Sequence, residues 1–237
     1  MSQQRKDGRL ADALRPVSID IDIQRAASGS ALIRWGHTHV LCAASFDDSV
    51  PQHRQGKGGW LTAEYTMLPG ATRPRFKRER AKVGGRTTEI QRLIGRSLRA
   101  AVDLDRLGPR TLYIDCDVLQ ADGGTRCASI TGAWVAAALA IARDGEPRTC
   151  PLPRPLAAVS LGVVGGEVLL DLDYSEDSRA DVDLNFVARD DGIVEVQGTA
   201  ERRPFDADTL LRMTHLATQA SQQLCEIQAA VLEAAGV

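Results

Sequence analysis

The residues best suited to chemistry begin at Asp122-Gly123-Gly124-Thr125-Arg126, where an apolar-alternating stretch gives way to a helical one. A helix start offers unpaired backbone amides and glycines let a ligand approach the chain. With a hydroxyl and a guanidinium added, the set suits a phosphate-sized dianion. The stretch lacks the GxxxxGK[ST] pattern of a nucleoside-triphosphate loop, so the ligand expected is an isolated phosphate. A purely structural turn accounts for the same residues equally well. A second glycine-opened helix begins at Gly84-Gly85-Arg86-Thr87-Thr88-Glu89, with Thr87 or Thr88 as candidate caps. Alone, Arg86 reads as a solvated surface group. Brought beside Arg126 it would complete a two-arginine clamp, because planar guanidinium forks bind phosphate oxygens in bidentate fashion.

Acidic residues collect in Asp171, Asp173, Glu176, Asp177, Asp181 and Asp183. Alternation over 181–187 sets Val182, Leu184 and Phe186 on one face and Asp181, Asp183 and Asn185 on the other. If the turn carrying Glu176 and Asp177 folds back over that row, two carboxylates could meet to hold Mg²⁺, which prefers oxygen ligands. A charged edge strand that resists aggregation is the competing reading. Between Arg73 and Arg86 the chain carries a local excess of six positive charges, from Arg73, Arg75, Lys77, Arg78, Arg80, Lys82 and Arg86 against Glu79. With the outward stripe Arg92, Arg96 and Arg99, this segment suits a polyanionic backbone, where affinity comes from counterion release. A solvated loop is the alternative. His37 and His39 alternate along a strand with no third ligand or nucleophile in view, and read as structural.

These groups need elements to position them. Strands are expected at SIDIDI (Ile19, Ile21, Ile23), at 30–34 and 38–46, and at TLYIDCDV (Leu112, Ile114, Cys116, Val118). Helical spacing over 87–102 puts Ile90, Leu93, Ile94, Leu98 and Ala101 in one sector. A second helix fits 125–143, with Ile130, Trp134, Ala137, Ala138 and Ile141 on one face and Gly145 available to end it. The three prolines in 149–156 mark a connection between halves. Strands at 157–164, 167–173, 181–187 and 193–199 then precede a long helix from Asp206, its candidate N-cap, to Ala234. Leu210, Met213, Ala217, Ala220, Leu224, Ile227 and Val231 form its apolar stripe. Each half reads as strands followed by a helix, an α+β class of two similar units, although no residue-level repeat is visible.

Composition bounds the answer. The chain has 237 residues, 43% hydrophobic and 25% charged, with a net charge of −2, which argues against a coat of positive charge for indiscriminate nucleic-acid binding. No apolar run approaches the roughly 20 residues of a membrane helix, and the N-terminus lacks a secretory pattern, so the expectation is a non-membrane, cytoplasmic protein. Five cysteines form no close pairs and read as buried reduced thiols.

In order along residues 8–205, Arg15-Pro16, HTHVLCAAS, GWLTAEYTMLPGAT, GRTTEIQRLIGRSLRA, YIDCDVLQADGGTRCASITGAW, LLDLDYSEDSRADVDLNF and IVEVQGTAERRPF resemble the ribonuclease PH family, phosphorolytic exoribonucleases that mature transfer-RNA 3′ ends. The resemblance implies the RNase PH fold, a ribosomal protein S5 domain 2-like pair of strand-then-helix halves. The N-terminal half, 1–155, would carry the phosphate- and RNA-binding segments, and the C-terminal half, 156–237, the acidic segment and long helix. It implies that Arg86, Gly124, Thr125 and Arg126 bind the attacking phosphate, and that Asp177 and Asp183 are catalytic, positioning Mg²⁺ or assisting proton transfer. Arg73, Arg75, Lys77 and Arg78 fall where the family engages RNA. Substrates would be transfer-RNA precursors and other structured RNAs such as rRNA, and the reverse reaction would add nucleotides. The assembly implied is a homohexamer, a trimer of dimers. Two departures stand out: Gly70 occupies a position where many relatives have arginine, and AERRPF lacks the usual glycine after AE. The rival functions are a non-catalytic RNA-binding ring subunit and a hydrolytic metal-dependent nuclease.

Overall fold

In a computed structural model, which describes residues 5–79, 83–144 and 150–237, the chain builds two sheets around a shared core. Arg80, Lys82 and Gly145 lie outside the described residues. The first sheet holds β1 (Val17–Ile21), β2 (Gly29–Trp35), β3 (Thr38–Asp47), β4 (Trp60–Met67) and β5 (Thr111–Gln120), in the order β1-β2-β3-β5-β4. Its pairs are antiparallel except β4 with β5, which run parallel. Parallel neighbours need a crossover. Helix α1 (Gly85–Arg99) supplies it and buries Ile90, Leu93, Ile94 and Leu98. The first strand stops before Ile23, because Asp22 takes φ 61°, and Ile23 is exposed.

Helix α2 (Thr125–Ala142) follows β5 and departs from the one-sided stripe that its sequence suggested. Sixteen of its residues, Thr125 and all of Cys127–Ile141, are buried, because it packs between β2, β3 and β5 of one sheet and β6 (Leu156–Val164) and β8 (Val182–Arg189) of the other. Contact is close enough that a Cβ on Gly29 would fall 2.3 Å from Ala136 O. By length and composition this helix could cross a membrane, contrary to the expectation that no segment would, but 89% of it is buried inside the fold.

The second sheet is antiparallel, ordered β7-β6-β8-β9, with β7 (Glu167–Leu170) and β9 (Gly192–Ala200) at its edges. A single helical turn, α3 (Tyr174–Asp177), lies between β7 and β8, N-capped by Asp173 in a capping box with Glu176. Asp206 does cap the long helix α4 (Ala207–Ala234), accepting from Thr209 N at 2.8 Å. Leu210 is exposed, so the helix's stripe begins at Met213 and holds through Ala217, Ala220 and Leu224, then drifts to Gln228 and Leu232 while Ile227 and Val231 are only partly buried. A straight helix turns every 3.6 residues, so a strict alternation of three and four falls off the buried face. Gln228 is tolerated there because its Nε2 donates to Thr131 O and Leu156 O, although its Oε1 has no partner. All five cysteines are free thiols, and four are buried.

Candidate active site

Residues of both halves meet at one cavity of about 360 Å³. Its lining includes Arg86, Gly124, Thr125 and Arg126 from the two glycine-opened helices, and Asp177, Asp183 and Asn185 from the second sheet side. The candidates divide by chemistry: Gly123 joins the four candidate anion-binding residues as one set, and the two carboxylates form the other, near enough for the charges of Arg126 and Arg86 to act on Asp177.

The loop geometry explains the glycines. Gly123 and Gly124 adopt φ 77° and 66°, and a Cβ on Gly123 would strike Leu172 O at 2.5 Å, so a side chain is excluded by both conformation and space. Gly124 is the N-cap of α2, and no side chain caps that helix. Among the described residues its first amides therefore lack a capping side chain. Tyr65 Oη, buried beneath, donates to Thr125 Oγ1 at 3.0 Å and fixes the hydroxyl. The start of α1 is likewise uncapped: Gly84 is the N-cap, and Thr88 Oγ1 donates back to Gly84 O instead of capping an amide.

Arg126 is ordered by Glu89, whose Oε2 accepts from its NH2 at 2.8 Å, while Glu89 Oε1 accepts from Gln197 at 3.0 Å. Burial disfavours the charge on Arg126, and Glu89 more than offsets this, so its pKa is raised. Burial also works against the Glu89 carboxylate, but the bonds from Arg126 and Gln197 and the charges of Arg126 and Arg86 together outweigh it and hold the acid below its usual range. The Arg126 Nε is buried without a partner. Among the described residues nothing accepts from this donor.

The acidic end behaves differently. Asp183 does sit opposite Val182, Leu184 and Phe186 in the alternation of β8, but β8 is an interior strand of its sheet, so the edge-strand reading is overturned. Asn185, buried beside it, accepts from Cys127 Sγ at 3.4 Å. Asp177 arrives from the end of α3. Burial raises its carboxyl, against the lowering charges of Arg126 and Arg86. Burial and then the charge of Asp177 push Asp183 up to about 6, with Glu201 adding to the rise. Among the described residues neither carboxylate has an ion-pair partner within 4.0 Å, and no group of three acids, histidines or cysteines could hold a metal unaided. Asp177 is exposed and Asp183 half-buried, and neighbouring like charges of this kind repel unless a cation or proton intervenes. Their oxygen chemistry fits a hard divalent cation whose remaining ligands are water or substrate oxygens.

The basic segment divides as well. Arg73 lines the cavity, and Arg75, Lys77 and Arg78 are exposed on the same stretch. Arg92 is exposed away from the cavity, whereas Arg96 pairs with Glu195 of β9, its Nε and NH2 donating to the carboxylate. Arg99 lies over the Trp60 ring at 4.6 Å and donates to Leu61 O, so it serves the packing of α1 on β4. Gly70 is exposed, and a Cβ added there would have nothing within 4 Å, so an arginine at this position would meet open space. Sequence reasoning missed the apolar wall of Met67, Phe76 and Leu172, and missed Glu89 as the partner of Arg126. The position of Glu89, one turn into a helix that starts at Gly85, was the available signal for the latter.

Comparison with known proteins places this arrangement. Residues 13–143 match the family model described as "3′ exoribonuclease family, domain 1", and residues 154–220 match domain 2. The chain is 54% identical over 230 residues to the ribonuclease PH of Parasynechococcus marenigrum (strain WH8102), covering 95% of this chain and 92% of that one. Against the ribonuclease PH of Mycolicibacterium gilvum (strain PYR-GCK) the identity is 55%, with 97% and 92% covered. Among solved structures, the Archaeoglobus fulgidus exosome with RNA bound to its active site superposes with a TM-score of 0.82 at 25% identity, covering 94% of this chain and 92% of that one. Rice Rrp46 gives 0.80 at 19% identity, covering 96% and 100%, which speaks to the fold alone.

Proposed function

From the premise that the chain belongs to the ribonuclease PH family of 3′ exoribonucleases, we propose that its cavity carries out phosphorolysis of RNA, shortening 3′ ends of transfer-RNA precursors and other structured RNAs such as rRNA. The observation that carries this reading is the meeting of Arg86, Gly124, Thr125 and Arg126 with Asp177 and Asp183 around one cavity. An oxygen of inorganic phosphate attacks the last phosphodiester in line. The new P–O bond yields a nucleoside 5′-diphosphate, the bond to the penultimate 3′ oxygen breaks, and that oxygen takes up a proton. One phosphoryl linkage replaces another, so the reverse reaction adds nucleotides and no covalent enzyme intermediate is needed.

The chain's own contribution is positioning and charge neutralisation. Arg86, Arg126 and the open amides of α2 hold a dianion that would otherwise be repelled by the phosphodiester. Glu89 orients Arg126 for this task. Asp183, raised to about 6, can hold or release a proton near neutral pH. Asp177 and Asp183 would hold Mg²⁺, which when bound neutralises charge on the phosphate oxygens. Arg73, Arg75, Lys77 and Arg78 engage the RNA backbone, and residues 1–155 and 156–237 serve as the phosphate-and-RNA half and the acidic half. The assembly is a homohexamer, a trimer of dimers, in the cytoplasm, which light scattering and fractionation would check.

The test is incubation with a 3′-extended RNA, with and without inorganic phosphate, followed by identification of the nucleotides released. Diphosphates that appear only with phosphate support the reading. Monophosphates would indicate hydrolysis, and no release would leave the chain as an RNA-binding ring subunit.

A further inference from the structure

Behind the phosphate loop lies a buried polar network that does not itself line the cavity's anion end. Asp171, fully buried at φ 55°, collects bonds from Arg15 N at 2.7 Å, Arg15 NH2 at 2.6 Å and Trp35 Nε1 at 2.9 Å. A non-glycine residue in that conformation is held there by its surroundings. The Arg15 guanidinium also reaches across to the loop, donating from NH1 to Asp122 O at 2.5 Å and from NH2 to Gly123 O at 3.5 Å. Thr38, completely buried, donates from Oγ1 to the same Gly123 O at 2.7 Å and accepts from Asp122 N at 2.9 Å. Asp122 Oδ1 in turn accepts from Tyr174 N, the first residue of α3, at 3.3 Å.

A trans peptide is planar, with its carbonyl and the following N–H pointing in opposite directions. Pinning the carbonyls of Asp122 and Gly123 to Arg15 and Thr38 therefore fixes the N–H groups of Gly123 and Gly124 on the opposite side. Asp171 belongs to the segment that leads into α3 and Asp177, so the same guanidinium ties the anion loop of one half to the acidic turn of the other. We infer that Arg15, anchored by Asp171, and Thr38 are positioning residues that aim the loop amides at the attacking phosphate and hold them in register with Asp177. This deepens, and rests on, the reading of the cavity as a phosphorolysis site.

Thr38→Val and Arg15→Lys test it. Valine nearly matches threonine in shape but leaves Asp122 N and Gly123 O without the hydroxyl. Lysine keeps the charge for Asp171 but cannot span to Asp122 O. Calorimetric titration with inorganic phosphate should show affinity weakened about tenfold for Thr38→Val, and as much or more for Arg15→Lys, as expected when buried loop polar groups lose their partners. In turnover assays the phosphate KM should rise in parallel while the RNA KM stays within about twofold, a split that general loosening would not produce. A lower melting temperature with unchanged phosphate affinity overturns the inference, as does an equal rise in both KM values. Should Arg15→Lys fail to fold, Thr38→Val decides alone. If the unaltered chain binds phosphate but releases no diphosphate, the phosphorolysis reading fails while the loop-positioning result stands on the titration; if it turns over normally and the variants match it, only the positioning inference falls.

Discussion

The two ends of the cavity are built on opposite electrostatic terms. At the phosphate end, Arg126 is paired with Glu89, Glu89 is shared with Gln197, and the loop carbonyls are bonded to Arg15 and Thr38. At the acidic end, Asp177 is exposed and Asp183 half-buried, both carboxyls are raised, and neither has an ion-pair partner among the described residues. The first end is braced by these bonds but keeps an unpartnered Arg126 Nε and an uncapped helix start among the described residues. The second is internally opposed, eased in part by the charges of Arg126 and Arg86 and further by a cation or proton brought in. On the proposed reading, the first end would receive the anion and the second would favour a cation or proton.

The hardest way to break this comparison is to remove the positive end. Arg126→Ala should lower phosphate-dependent release of nucleoside diphosphate by about 10³-fold, in line with loss of a preorganised charge donor, while circular dichroism stays that of the parent. Unchanged release at saturating phosphate would show that the cavity's guanidinium is not used.

Asp183→Asn attacks the other end and separates activity from stability. Turnover should fall about 10²-fold or more with RNA affinity nearly unchanged, as for a group that acts chiefly in the transition state. Stability should move the other way. The folded carboxyl, raised from 3.8 to about 6, binds its proton more tightly than the unfolded one, so its ionisation weakens the fold progressively as pH rises through that window. Above pH 6 the asparagine variant should be more stable than the parent by about 1–3 kcal/mol, a gap that closes below about pH 4. Thermal melts at pH 4 and 8 without divalent cations read this directly, and added Mg²⁺ should shrink the gap by stabilising the parent. A variant that melts lower than the parent at pH 8 would show that the half-buried carboxylate is not opposed.

A smaller perturbation asks how much the order of the positive end matters. Glu89→Gln keeps a hydrogen-bond acceptor beside Arg126 but deletes the charge that orients it. Turnover should drop about three- to tenfold, the scale of one weakened charge-assisted bond, with no rise in phosphate KM because a negative neighbour has also been removed. A large rise in that KM would mean Glu89 organises far more than one guanidinium.

How far the sequence revealed these two ends depended on whether the signal was local. Gly123, Gly124 and Arg126 were legible because loop conformation, helix start and ligand-facing groups fall within a few consecutive residues. All the strands but β4, and the three long helices, were legible from periodicity for the same reason, and the capping role of Asp206 was too. Asp183 was placed on the correct face of its strand, but whether that face met solvent or a cavity depends on β8 being interior, a property of sheet order that no local window contains. The all-round burial of α2 was hidden likewise, since it needs two sheets from distant parts of the chain. The Arg15–Asp171 pair spans 156 residues, and only the fold brings it together.

The arginine stripe of α1 sharpens the comparison at its weakest point. Charge pattern alone grouped Arg92, Arg96 and Arg99 with the RNA-binding segment, but Arg96 bonds Glu195 and Arg99 covers Trp60. An exposed ion pair of this kind is worth about 0.2–1 kcal/mol. Arg96→Ala should therefore lower the melting temperature by no more than about 2–4 °C, with RNA affinity and its salt dependence like those of the parent. Replacing Arg75, Lys77 and Arg78 together should instead flatten the salt dependence of RNA binding, because each lost phosphate contact removes a released counterion. If the single Arg96 change flattens that slope as the triple change does, the positive end of the molecule extends along α1 and the division drawn between packing and substrate-binding arginines is wrong.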